Sequence, residues 1–192
     1  KTRAAMEAAS REVKEAMLFL KSAKNGLLAD TASEELVGQI AEFIGYDVKD
    51  VIAAAMAAMK TVKDGNKMRD IANKVKELTS AEKSMQDTTR ILAPALIDPE
   101  AMKAVSDASK GLGSISAQLQ DLIKASGCTP ELANLLYNSI GGLNGSLASL
   151  LNVLATAEPR SGADLDFSVP HQNILTALTA LRDAGNDSQK VL

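Results

Sequence analysis

Apolar side chains recur at spacings of three and four along almost the whole chain, the repeat of an α-helix with one buried face. The first such segment is expected over residues 2–28, on Met6, Ala9, Val13, Met17, Leu20 and Leu27. A second opens at Thr31, where Glu34 three residues later gives a capping-box spacing that satisfies two free amides reciprocally. It continues through Val37, Ile40, Ile44, Val48, Val51, Ala55, Met59 and Val62 and stops at Asp64-Gly65. Asn66 is placed to cap a third, carried by Met68, Ile71, Val75, Leu78, Met85 and Leu92. Pro94 ends it, because proline disfavours helix at the residue before it.

Two later starts are sharper. Asp98-Pro99-Glu100 and Thr129-Pro130-Glu131 each offer a capping oxygen, a proline at the first helical position and an acid facing the positive end of the dipole. The fourth stripe is Met102, Val105, Ala108, Leu112, Ile115, Leu119 and Leu122; the fifth is Leu132, Leu136, Ile140, Leu143, Leu147, Leu150 and Leu154. Turn-forming residues crowd positions 158–170, and a short sixth helix is expected over 171–184 on Ile174, Leu178 and Leu181.

Five helices, each about 40 Å long at 1.5 Å per residue, with short connections must run beside one another. The expected fold is therefore all-α, an up-and-down antiparallel bundle of four to five long helices plus a short C-terminal helix. Residues 1–157 form the bundle in one reading. In the other, 31–157 is a four-helix bundle and 1–28 belongs to a preceding module. Residues 158–170 are the linker, and 171–192 either begin the next module or dock as a short helix.

Composition sharpens the picture. Hydrophobic residues make up 46% of the chain but aromatics only 3%, which suits helices packed through aliphatic side chains and argues against sandwiches and barrels. A net charge of -3 argues against a general nucleic-acid or anionic-membrane surface, although Lys14, Lys21 and Lys24 give the first helix a mildly basic side. The one cysteine, Cys128, cannot form an intramolecular disulfide and fits a reducing compartment. The longest apolar run, around 51–59, is mostly alanine and too short to span a bilayer. No signal peptide is visible, Lys1 implies a piece of something longer, and the expected location is cytoplasmic.

Candidate chemistry is thin. The sole histidine, His171, stands beside Pro170 without the spaced partners a metal site needs. Cys128 has no histidine near it in sequence to act as a base. Gly111, Gly113, Gly141, Gly142 and Gly145 match no phosphate-binding pattern, which needs a preceding strand. No catalytic residue, metal or cofactor is expected, and the chain reads as a binding or load-bearing protein rather than an enzyme.

One stretch is more specific. Residues 88–127, TTRILAPALIDPEAMKAVSDASKGLGSISAQLQDLIKASG, resemble the talin rod, where helices follow an Asp-Pro loop, pass through Ala/Ser-rich turns and close on L-I/V-x-x-A. The closing SLASLLNVLATA of the fifth helix and the passage into HQNILTALTALRDAGND are similar to that family too. The likeness is clearest over 88–187 and compositional over 1–87; vinculin- and α-catenin-type bundles are the neighbouring alternatives. The resemblance implies a cytoskeletal adhesion scaffold at cell-adhesion sites, whose bundles join integrin tails to actin. It also implies neighbouring rod bundles as partners, an indirect link to actin, and cryptic helices that bind a vinculin-like head when tension opens the bundle.

The family's vinculin-binding pattern, L-x-x-A-A-x-x-V-A-x-x-V-x-x-L-I-x-x-A, is approximated in the fifth helix by Leu136, Ile140, Leu143, Leu147, Leu150, Leu151 and Leu154. In the fourth it is approximated by Leu112, Ile115, Leu119, Leu122 and Ile123. The first helix departs from it at Lys14 and Lys21, and Asn144 departs from it in the fifth. A direct actin-binding module is an alternative, but the talin-type one carries a Trp-containing signature and this chain has no tryptophan. A generic interaction bundle without mechanosensing is another.

A helix that binds a groove through its apolar stripe presents the side chains that its own bundle core uses, so folded and bound states compete. Mid-helix glycine costs about 1 kcal/mol relative to alanine. The five glycines of the fourth and fifth helices, with Ser139 and Asn144, thus predict a soft bundle. The opposite expectation is that glycine lets helices approach closely and tightens the packing.

Overall fold

The computed structural model describes residues 2–160 and 168–191. Among them are six α-helices: α1 (Thr2–Lys24), α2 (Thr31–Met59), α3 (Gly65–Leu92), α4 (Pro99–Ala125), α5 (Pro130–Thr156) and α6 (Ser168–Val191). A 3-10 turn, Ala93–Ala95, joins α3 to α4. No strand occurs among the described residues, and a single isolated bridge pairs Ala29 with Pro159. The chain is an all-α bundle.

Side-chain caps set the boundaries. Asp98 Oδ1 accepts from the Glu100 amide at 2.9 Å, and Thr129 Oγ1 from the Leu132 amide at 3.5 Å, with proline following both. Two other expected caps are corrected. The cap of α2 is Asp30, whose Oδ1 accepts from Ser33 N, and not Thr31. Glu34 does not close a capping box but pairs with Arg160 Nη2 at 2.7 Å. The cap of α3 is Asp64 rather than Asn66, accepting from the amides of Asn66 and Lys67. In each case the acid one or two positions earlier has the stronger acceptor.

The sixth helix is also corrected. It is 24 residues long, not the 14 expected over 171–184. Pro170 is its third residue and tolerable there, because amides in the first turn have no partner within the helix. Gly185 lies inside it rather than ending it. The side chain of His171 and residues 161–167 of the expected linker lie outside the described residues. The start of that linker is fixed: Arg160 donates from its amide to Leu28 O and from Nε to Ala29 O.

Within the bundle α2 packs against α3 and α5, and α4 against α3 and α5, closing a ring of four helices. Ile44, Ile71, Leu78, Met85, Leu112, Leu119, Leu136 and Leu143 are fully buried inside it. Outside the ring, α1 packs on α6 and α3, while α6 packs principally on α1. The stripe expected for α1 is therefore displaced. Met17 is 61% exposed, and the buried residues are Ala9, Glu15, Ala16, Phe19, Ser22 and Ala23. Alanines take three of the six buried positions, and Phe19 is the large apolar side chain that α1 buries.

The contact between α1 and the ring is unusually polar. Ser22 Oγ donates to Asp98 Oδ2 at 2.6 Å, so one carboxylate caps α4 and also tethers α1. Thr88 Oγ1 donates to the buried Glu15 Oε1 at 2.7 Å, while Glu15 Oε2 is buried without a hydrogen bond. Burial pushes the Glu15 carboxyl above its ordinary range, against the opposing pull of the Thr88 hydroxyl and Arg11. Burial, then the charge of Asp87 and a hydrogen bond shared with it, raises Glu12 as well.

Both groups hold protons more tightly in the folded state. Their contribution is fully present below the unfolded pKa and is lost as pH rises through the raised folded values. Hydrogen-exchange protection of the α1 amides, relative to those of α5, is expected to fall as pH rises from about 4 to about 7. Glu15→Gln should flatten part of that decline. Protection that is level or rises over the range contradicts the assignment.

Candidate partner-binding helices

Helix α5 presents its stripe inward from Leu136 onward, with Leu132 half-buried at its start. Leu136, Ile140, Leu143, Leu147, Leu150 and Leu154 are all buried, and Leu143 and Leu150 have no solvent exposure at all. Leu151 is half-buried on the flank of the core. Val153, which the periodicity reading passed over, is also buried. It follows Leu150 by three, which on a 3.6-residue repeat sets it at the edge of the buried side rather than on the leucine line.

In α4 the buried line is shifted from the expected one. Leu112, Leu119 and Ile123 are buried, but Ile115 and Leu122 are half-buried, as are Met102 and Ala108. The inward positions between the leucines belong to Ser109 and Ser116. Val105, Ser109, Leu112, Ser116, Leu119 and Ile123 alternate steps of four and three, a narrower seam than the apolar residues alone suggest. Ser109 Oγ donates to Ser106 O at 2.8 Å, whereas Ser116 Oγ is buried with no hydrogen-bond partner. Such a group costs about 1–3 kcal/mol in lost hydration. α4 therefore carries a local weakness inside its core face.

The two readings of the glycines separate here. A Cβ added at Gly111, Gly141 or Gly145 would meet nothing within 4 Å. At Gly113 it would meet Leu147 Cδ1 at 3.6 Å and at Gly142 Asp47 Oδ1 at 3.8 Å, ordinary van der Waals distances. Close helix approach thus explains none of the five, and at Gly111, Gly141 and Gly145 that expectation is overturned. These glycines add backbone freedom to the unfolded helix without a packing return. The expected dilution of the α5 stripe by polar residues is corrected as well: Asn144 is exposed, and Ser139 Oγ is satisfied by Leu135 O at 2.9 Å.

One polar contact crosses from α5 to α2, a hydrogen bond from Ser146 Oγ to Asp47 Oδ2. Two lysines of α3 also reach α4, Lys67 Nζ to Ala125 O and Lys74 Nζ to Gln118 Oε1; the remaining core contacts of α4 and α5 are mainly aliphatic. No family model, curated protein or solved structure matches the chain.

Cys128 is a free, half-buried thiol at the α4–α5 junction, packed against the core. Among the described residues no three His, Cys, Asp or Glu side chains are grouped to hold a metal ion, and no helix is long and apolar enough to cross a membrane. The open clefts are grooves between helices, the α4–α5 one about 300 Å³ and lined by Ser109, Gly113, Asn144, Leu147 and Leu151. What the arrangement can do is hide or present an apolar helix face.

Proposed function

We propose that this chain is a force-bearing segment of a cytoskeletal adhesion scaffold of the talin-rod type, in which α5, and secondarily α4, are concealed sites for a vinculin-type head. The observation that carries the reading is the burial of the α5 stripe from Leu136 to Leu154 in a helix where Gly141 and Gly145 face open space. Those leucines cannot fill the core and a partner's groove at the same time, so recognition requires local opening.

An up-and-down path through the ring suits that role. Lys67 Nζ reaches Ala125 O and Lys74 Nζ reaches Gln118 Oε1, pairs whose numbers rise on α3 as they fall on α4. Gln86 Nε2 reaches Ala41 O while Gly45 lies against Glu82, the same sense between α2 and α3. We take α2–α5 as the four-helix unit and α1 with α6 as a pair clasped to its side. Cytoplasmic placement at adhesion sites, neighbouring rod bundles and an indirect link to actin belong to the same proposal. It is tested by offering a vinculin-type head the same helix twice, isolated and folded.

A further inference from the structure

We propose that the basic outer face of α1 docks on the acidic outer face of α2 in a second copy of this chain, joining molecules head to tail. On α1 the outward positions Arg3, Met6, Lys14, Met17, Lys21 and Lys24 fall on one side of the helix, within about a quarter turn at 100° per residue. Lys14, Lys21 and Lys24 are exposed and form no ion pair among the described residues, and Met17 projects between them. Beside this ridge a cleft of about 550 Å³ opens between α1 and α6, floored by Met6 and Leu181 and rimmed by Arg3, Glu7, Arg11 and Lys14, with Arg3 paired to Glu7 at 3.0 Å.

The complementary surface lies on α2. Leu36, Phe43 and Tyr46 are exposed, Phe43 by 59%, in a helix otherwise well packed. Glu35, Glu42 and Asp50 flank them, also exposed and free of ion pairs among the described residues. Lys49 is the one cation within the stripe, and it sits over the Tyr46 ring at 5.6 Å. The spacing matches as well as the sign. Lys14 and Lys21 are seven residues apart, as are Glu35 and Glu42, and so are Leu36 and Phe43. Seven residues rise about 10.5 Å along either helix, so two cations can meet two carboxylates while Phe43 and Leu36 lie along the methionine ridge.

Within one molecule these faces cannot meet. α1 packs on α3 and α6, while α2 turns Gly45 toward α3 and Phe43 to solvent. Unlike faces that pair head to tail between copies build rings where the rotation closes and open chains where it does not. A single helix pair buries little area, so the contact is weak and strongly screened by salt.

Sedimentation velocity of the 192-residue chain over a range of concentrations and salt tests the proposal. The expected result is a weight-average mass that grows with concentration at low salt and returns to monomer as salt is raised. Lys14→Glu/Lys21→Glu should weaken association by about tenfold or more, and Glu35→Lys/Glu42→Lys should do the same. Mixing the two variants should restore it. Lys76→Glu/Lys110→Glu, which makes the same change of charge at exposed positions on α3 and α4, should have no effect. Unchanged helical circular dichroism shows that each variant folds. A monomer under all conditions overturns the proposal, as does association indifferent to the α1 and α2 reversals. Binding of acidic peptides or anionic vesicles by a chain that stays monomeric overturns it too.

Discussion

Leu143→Ala is expected to lower the free energy of unfolding by about 3 kcal/mol, within the roughly 2–5 kcal/mol range for truncating a buried leucine. Leu143 is fully enclosed in the core cluster, so its loss removes apolar burial and leaves a cavity that the packed helices around it fill poorly. Leu135, on the same helix but 49% exposed, is the matched comparison, and Leu135→Ala should change stability by no more than about 0.5 kcal/mol. Urea titration followed by helical circular dichroism reads both. If the two substitutions cost the same, the inward orientation of α5 is wrong, and with it the competition between core and partner.

Gly141→Ala/Gly145→Ala works in the opposite direction. Each substitution replaces a mid-helix glycine where the new methyl group meets open space. The pair should raise stability by about 1–2 kcal/mol, chiefly by restricting the unfolded chain. In single-molecule pulling the same variant should open at higher force than the parent, because a stiffer α5 leaves the bundle less readily. No rise in either quantity would end the idea that these glycines soften the helix. Together the two predictions bracket α5: its leucines hold it in place, and its glycines limit how firmly.

Much of this was legible in the chain. The stripes of α2 and α5 were read almost residue for residue, because each helix has one buried side and large aliphatic residues to mark it. The Asp-Pro-Glu and Thr-Pro-Glu starts were equally plain. Helix α1 was not, since apart from Phe19 its inward residues are alanines, Ser22 and Glu15, which do not stand out in a hydrophobic pattern. The same reason hid Ser109 and Ser116 in α4, where a small hydroxyl occupies a core position that periodicity assigns to the neighbouring Ala108 or Ile115. The length of α6 was missed because proline and glycine were read as boundaries, although Pro170 lies in a first turn and Gly185 is simply tolerated. Glycine was ambiguous in principle: residue identity does not say whether another helix lies within reach of the absent side chain.

The most direct test of the central claim is calorimetric titration of a vinculin-type head with a peptide of residues 131–157 and, separately, with the intact chain. The account predicts that the peptide binds and the folded chain binds far more weakly. An opening free energy of about 4 kcal/mol alone would lower the apparent affinity by about a thousandfold. Equal affinity for the two, or a peptide that does not bind, would contradict it.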